Sequence, residues 1–287
     1  MTPERVHVMW CGWDVPLGDG VGRVVLATGT TLVCRLQSRS GPTIVTLHAD
    51  ATRPRSPAAI ALRVLPAASA GSAVTIRDGV VRVLTDRECF DCDVGSATRW
   101  PPPSRPPLHA RSRRALCVKI GRAAPSALAQ AQSRLGGRVA ELVDALHCHG
   151  ESVVAAPVRR LIGFGPGLTP SGDDFLCGVL VTLARSVEHA SAYAVLARAV
   201  QEALAGVTWP TTDPGVALLR LAVRGECDEA VADVLASAQM PSSACGERIR
   251  RLLAVGATSG ADVLVGIHAA LGVGMLAGVA GVAGVAV

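Results

Sequence analysis

The sequence predicts an α+β protein with a small β-rich, barrel-like region over residues 1–99, a proline-rich connector over 100–114 and a mainly α-helical region over 115–287. Three observations carry this division. The first hundred residues hold short runs of β-branched side chains separated by turn signals. Five prolines then fall between Trp100 and Arg114 in RWPPPSRPPLHARSRR, where fixed φ angles and missing N–H donors favour extended chain. Beyond them, apolar residues recur at helical spacing.

GRVVLATGTTLVCRLQ and PTIVTLHAD read as strands, and AVTIRDGVVRVL reads as a hairpin with Asp78-Gly79 in its turn. The strands are expected to form a small antiparallel sheet or barrel. Leu128, Leu135, Val139, Leu142, Val143 and Leu146 mark a helix that Gly136-Gly137 divides in two. A long alanine-rich helix is expected from Asp174 to about residue 206, with shorter ones over 215–224, 228–238, 245–255 and 261–276.

Composition narrows the function classes. Hydrophobic residues make up 49% of the chain and aromatics only 3%, so the core must be aliphatic. The net charge of +5 comes from 28 basic residues of which Lys119 is the one lysine, without a run of five like charges or a basic stripe interleaved with aromatics. Nucleic acid is therefore not an expected partner. The N-terminal MTPERVHVMWCGW has no apolar core of a leader, and nine cysteines at irregular spacing form no disulfide framework, so reduced thiols and a cytoplasmic location are expected. The last 20 residues, His268 to Val287, are apolar and long enough to span a bilayer. Five glycines and the lack of a following Lys or Arg read them instead as a buried helix ending in a loose tail, with membrane insertion not expected.

Polar chemistry concentrates in GFGPGLTPSGDDFLCG, Gly163 to Gly178. It lacks the Lys of a phosphate-binding P-loop, and Gly163, Gly165 and Gly167 are spaced G-x-G-x-G rather than as a dinucleotide fingerprint. Part of it recurs 88 positions later: SGDDFLCG from Ser171 aligns with SGADVLVG from Ser259, sharing S-G-x-D-x-L-x-G. Two readings fit. Ser171 with Asp174, and Ser259 with Asp262, match a capping box at a helix start. Alternatively the two helix starts come together as a ligand site, for which Gly163, Gly165, Gly167, Thr169, Ser171, Gly172, Thr258, Ser259 and Gly260 are the candidate binding residues. In that reading Asp173, which the box does not use, joins Asp174 and Asp262 as candidate catalytic groups. Because carboxylates repel a bound anion, either a cation stands between them, Arg159 or Arg160 just upstream or Mg²⁺, or Asp173 or Asp174 instead accepts from the amide of a neutral substrate away from the phosphate.

At these residues the chain resembles the oxamate carbamoyltransferase subunit family, formerly catalogued as a domain of unknown function. The likeness rests on GPGLTPSGDDFL, Gly165 to Leu176, followed by GATSGADVLVG, Gly256 to Gly266. The resemblance implies a part in the anaerobic breakdown of allantoin-derived ureides, where oxalurate and phosphate interconvert with oxamate and carbamoyl phosphate. It also implies partner subunits, one of them similar to acyl-CoA synthetases, and a small anionic substrate, phosphate or carbamoyl phosphate. Helix-start amides at 167–172 and 258–260 would then face a developing oxyanion, with Asp174 or Asp262 as base. The alternatives are a non-catalytic assembly subunit whose glycine-bearing helix faces dock partners, or a Mg²⁺-dependent phosphotransferase.

Other constellations carry less. Cys89-Phe90-Asp91-Cys92 and His147-Cys148-His149 lack the second C-x-x-C of a zinc site, so no metal centre is read there. Thr211-Thr212-Asp213-Pro214-Gly215 reads as a helix cap, and Arg111, Arg113 and Arg114 as a solvated charge run.

Overall fold

The computed structural model describes residues 3–38, 41–49, 54–147, 151–206 and 208–273. The chain forms two compact units, the first ending at Pro103 and the second beginning at Ser104. The architecture is α+β, with strands in the first unit and helices in the second.

Among the described residues, ten strands build the first unit: β1 Glu4–Val6, β2 Val8–Gly12, β3 Gly20–Ala27, β4 Thr31–Ser38, β5 Gly41–His48, β6 Ala59–Leu62, β7 Ala73–Arg77, β8 Val80–Leu84, β9 Cys89–Asp93 and β10 Arg99–Trp100. They form one sheet in the order β1-β9-β8-β7-β3-β4-β5-β6-β2-β10, curled into a half-barrel. The expected antiparallel pattern holds through the centre, but β1 with β9, β5 with β6 and β2 with β10 pair in parallel, so the sheet is mixed. In β8 the side chains alternate, Val81 and Val83 buried and Arg82 outward in an ion pair with Asp91 at 2.6 Å. Asp78 (φ 49°) and Gly79 (φ 75°) make the two-residue turn of the β7–β8 hairpin, since Arg77 faces Val80. Cys89 and Cys92 lie buried in β9, and Cys92 is part of an aliphatic core with Val24, Leu36, Val45 and Ile60. Among the described residues no group of His, Cys, Asp or Glu is arranged to hold a metal; Cys148 and His149 lie outside them.

The helices of the second unit are α1 Ala110–Ala123, α2 Pro125–Leu135, α3 Arg138–His147, α4 Glu151–Leu161, α5 Ser171–Leu183, α6 Ala190–Ala203, α7 Asp213–Val223, α8 Glu229–Ala236, α9 Ser242–Leu253 and α10 Ser259–Gly272. Gly136, at φ 61°, separates α2 from α3 as the glycine pair predicts. The long alanine-rich helix is corrected to two, α5 and α6. The Arg185 carbonyl, which a continuing helix would use, accepts instead from the Leu108 amide at 2.7 Å, and Ser186 turns its hydroxyl back to the Thr182 carbonyl at 2.8 Å. Neither partner is encoded by a Gly or Pro, so the local pattern carries no sign of the break.

Helix α1 starts at Ala110, inside the stretch read as connector, and Arg113 is not part of a solvated run. Its guanidinium is buried and donates to the carbonyls of Val273, at 2.6 Å, and Leu271, at 3.3 Å, so it closes the negative end of α10. Among the described residues no helix is long and apolar enough to cross a membrane; the expected loose tail, 274–287, lies outside them.

Candidate active site

The repeat seen in sequence is the centre of the helical unit. Extended backward with a three-residue gap, VRRLIGFG (Val158 to Gly165) lies on IRRLLAVG (Ile249 to Gly256), so each copy is a helix, a turn and a helix: α4–α5 and α9–α10. The turns match. Gly165 and Gly256 both have positive φ, at 102° and 62°, and the Gly172 amide donates to the Phe164 carbonyl as the Gly260 amide does to Val255, at 2.9 and 3.0 Å. A Cβ on Gly172 would lie 1.9 Å from the Leu161 carbonyl oxygen, and one on Gly260 1.9 Å from that of Leu252. Reciprocal contacts join the copies: a Cβ on Gly178 would meet the Val263 oxygen at 2.2 Å, and one on Gly266 the Phe175 oxygen at 2.1 Å.

Two expectations are corrected by these contacts. The glycine faces of α5 and α10 are spent on each other, so they are not surfaces for docking a partner. The Gly172 and Gly260 amides are spent on backbone carbonyls, which removes them from the set facing an oxyanion.

The capping-box reading also fails. Pro170 and Thr258 occupy the cap positions and neither accepts a side-chain cap bond, while Ser171 and Ser259 are already the first helical residues. Ser259 reaches across the repeat instead. Its Oγ lies 3.0 Å from Thr169 Oγ1, and Thr169 donates to Asp174 Oδ2 at 3.1 Å. Ser259 is also a hydroxyl partner of Asp174, so the carboxylate is met by one hydroxyl from each copy of the repeat.

All three candidate carboxylates are buried, Asp173 and Asp262 at 0% exposure and Asp174 at 2%, so each needs its own compensation. Asp173 accepts from the Gly163 amide at 2.8 Å and from the Thr211 hydroxyl. The start of α7 closes over it, where a Cβ on Gly215 would lie 2.3 Å from Asp173 Oδ2. Thr212 caps α7 by accepting from the Gly215 amide at 3.0 Å and donates its proton to the Leu168 carbonyl. Asp262 Oδ1 pairs with Arg134 of α2 at 2.8 Å, while its Oδ2 has no protein partner.

Burial raises the carboxyl of Asp173 above the ordinary range, although the Thr211 and Gly163 donors offset part of that. For Asp174 burial is again the largest cause; the Ser259 and Thr169 hydroxyls oppose it, the Asp262 and Asp173 charges add to it, and the carboxyl is pushed up to about 8. Asp174 thus exchanges its proton in the range where a general acid or base works.

This has a stability consequence. The native state holds a proton on Asp174 that the unfolded chain has lost above its ordinary value, so stability is full below about pH 4 and declines as pH rises towards about 8. Asp174→Asn is expected to flatten that decline, by up to about 1.4 kcal/mol per pH unit. Chemical denaturation of wild type and variant from pH 5 to pH 8, taken as a difference, checks it.

The remaining candidates fall into place around this centre. Gly163, at φ 73°, is crowded by the Pro210 carbonyl, where a Cβ would come to 2.1 Å. Gly165 lies against Ser171, and Gly167, at φ 107°, is on the exposed part of the turn. Arg160 pairs with Glu141 at 2.8 Å rather than with any of the three aspartates; Arg134, one-third exposed, is the cation beside them. Arg138 of α3 stacks over the Phe164 ring at 3.8 Å, next to the glycine turn. The sequence reading missed Arg134, Thr211, Thr212 and Gly215. The TTDPG stretch reads as a cap, which Thr212 is, but nothing in its spacing tells that Thr211 reaches a carboxylate 38 residues away. Among the described residues the three aspartates form no group arranged to hold a metal.

Fold and site together define a helical unit with a duplicated helix pair at its centre, holding three buried carboxylates beside a partly exposed arginine. Residues 161–271 match the family model described as oxamate carbamoyltransferase subunit AllH. The matched segment runs from the end of α4 into the last turn of α10 and contains every candidate site residue except Arg160. The family resemblance carried by the two motifs is borne out over that segment. No curated protein and no solved structure matches the chain.

Proposed function

We propose that the chain is a subunit of an oxamate carbamoyltransferase-like enzyme, and that the Asp174 centre serves carbamoyl transfer between carbamoyl phosphate and oxamate or oxalurate. The observation that carries this reading is the cluster of Ser259, Thr169 and Asp174, which joins both copies of the repeat inside the segment similar to that family.

In the phosphorolytic direction a phosphate oxygen attacks the ureido carbonyl of oxalurate and forms the new C–O bond. The C–N bond then breaks with its electron pair on nitrogen, which takes a proton to leave as oxamate. Asp174, carrying a proton near neutral pH, supplies it, and the proton of hydrogen phosphate restores the acid. Arg134, held by Asp262 and one-third exposed, provides positive charge for the phosphate or the substrate carboxylate, in the role first given to Arg160.

The family's description as a subunit supports a requirement for partner subunits. Cytoplasmic residence belongs to the same reading and is supported by free thiols at the eight described cysteines. A scaffold role and a Mg²⁺-dependent phosphotransferase remain the competing classes, and neither is favoured by a specific contact.

Ligand-dependent melting tests the reading at the level of binding. Carbamoyl phosphate at a hundredfold excess over its Kd is expected to stabilise the full chain, assembled with its partners, by about 2.7 kcal/mol. Gly167→Val, which forces a β-branched residue to φ 107° in the exposed turn, is expected to lose that shift. An unchanged shift in the variant places the ligand elsewhere, and a shift that needs Mg²⁺ and vanishes with EDTA supports the phosphotransferase.

A further inference from the structure

A second polar centre lies at the opposite end of α5, a helix roughly 20 Å long, from the aspartates. A cleft of about 430 Å³ opens there, lined among others by Arg105, Arg185, Ser186, Tyr193, Arg224 and Gly225. Arg185 follows the last turn of α5 and is 5% exposed. Its Nη2 reaches only the Cys227 sulfur at 3.8 Å, and its Nε and Nη1 have no protein partner. Burial pushes the Cys227 thiol up to about 11, so it stays neutral and supplies no counter-charge.

Carboxylates do not balance this guanidinium. Glu226 is engaged by Arg105 at 3.6 Å and by Arg224 at 2.9 Å. Among the described residues no carboxylate bonds Arg185, and Arg105 adds a like charge beside it. Tyr193 has its proton committed to the Val223 carbonyl at 2.6 Å, which leaves its oxygen free only to accept. A buried guanidinium with most of its N–H groups unmatched is costly unless a partner arrives from outside the chain. The carbonyl ends of α5 and α7 lie beside it and lower that cost through their dipoles, but they accept no bond from Nε or Nη1.

We propose that this cleft is a binding site for a small oxyanion, a carboxylate or phosphate group, with Arg185 as the buried anchor and Arg105, one-third exposed, as the entry charge. It is separate from the Asp174 centre and does not depend on the function proposed for it. A site of this kind would take either a second charged end of a substrate set or a free anion as an effector.

Calorimetric titration of the full chain with inorganic phosphate and, separately, with acetate tests it. Saturable binding of at least one anion is expected, as a phase weakened at least tenfold by Arg105→Ala and lost in Arg185→Met; a phosphate phase that both variants keep belongs to the Asp174 centre. A response to phosphate alone assigns a phosphate source, and one to acetate alone a carboxylate. Arg185→Met keeps the side-chain volume and removes an uncompensated charge, so its melting temperature without anion is expected to be no lower than that of wild type. If that variant does not fold, the Arg105→Ala titration decides alone. No saturable binding of either anion, or binding that the Arg105 variant keeps unchanged, overturns the proposal.

Discussion

Gly178→Val is expected to destroy the cooperative fold of the helical unit. The added Cβ would sit 2.2 Å from the Val263 carbonyl oxygen and 2.9 Å from the Ile267 amide, both backbone atoms of α10 that no side-chain rotation can move. The helices must then separate, and every residue of α5, all of which are buried, loses part of its packing. Destabilisation of roughly 3 kcal/mol or more is expected, a large share of a domain's total. Gly266→Val should match it, because its Cβ meets the Phe175 oxygen at 2.1 Å. Gly246 in α9 is the control: a Cβ there meets nothing within 4 Å, so Gly246→Ala should stabilise by about 0.5–1 kcal/mol. Urea denaturation of the three variants separates a close helix crossing from a general intolerance of larger residues.

Much of the architecture is legible in the sequence where the signal is local. The Asp78-Gly79 turn, the Gly136 break between α2 and α3 and the shared S-G-x-D-x-L-x-G of α5 and α10 are each fixed by residues within a few positions. The three parallel strand pairings were not legible, because partners such as β1 and β9 lie more than 80 residues apart and share no pattern that announces parallel register. The end of α5 was missed for a similar reason, being set by the Leu108 amide from a distant segment.

The site divides in the same way. Asp173, Asp174 and Ser259 stand out as polar residues in apolar helices and Thr169 in the turn before one of them, and the structure brings Thr169, Asp174 and Ser259 to one place. Their use was misread. A Ser followed three places later by Asp has the spacing of a capping box, but Pro170 and Thr258 take the cap positions, and the Ser259 hydroxyl turns to Thr169 of the other copy. Arg134 was invisible because α2 meets Asp262 only through tertiary packing, whereas Arg160 was conspicuous merely by adjacency.

The transferase reading rests most heavily on Asp174. Its carboxyl is buried, raised to about 8, and met by two hydroxyls, Thr169 and Ser259, one from each copy of the repeat. Asn in its place keeps the shape and the acceptor oxygen but cannot give up or take a proton at that pH. Loss of a positioned acid or base typically slows a reaction by about 10² to 10⁴. The decisive measurement is the initial rate of carbamoyl phosphate formation from oxalurate and phosphate by the assembled complex, wild type beside Asp174→Asn, with subunit assembly followed on the same samples. A rate at least a hundredfold lower in a variant that assembles normally is the expected result. An unchanged rate contradicts a catalytic Asp174, and a rate that falls only because the complex no longer assembles assigns the residue to architecture instead.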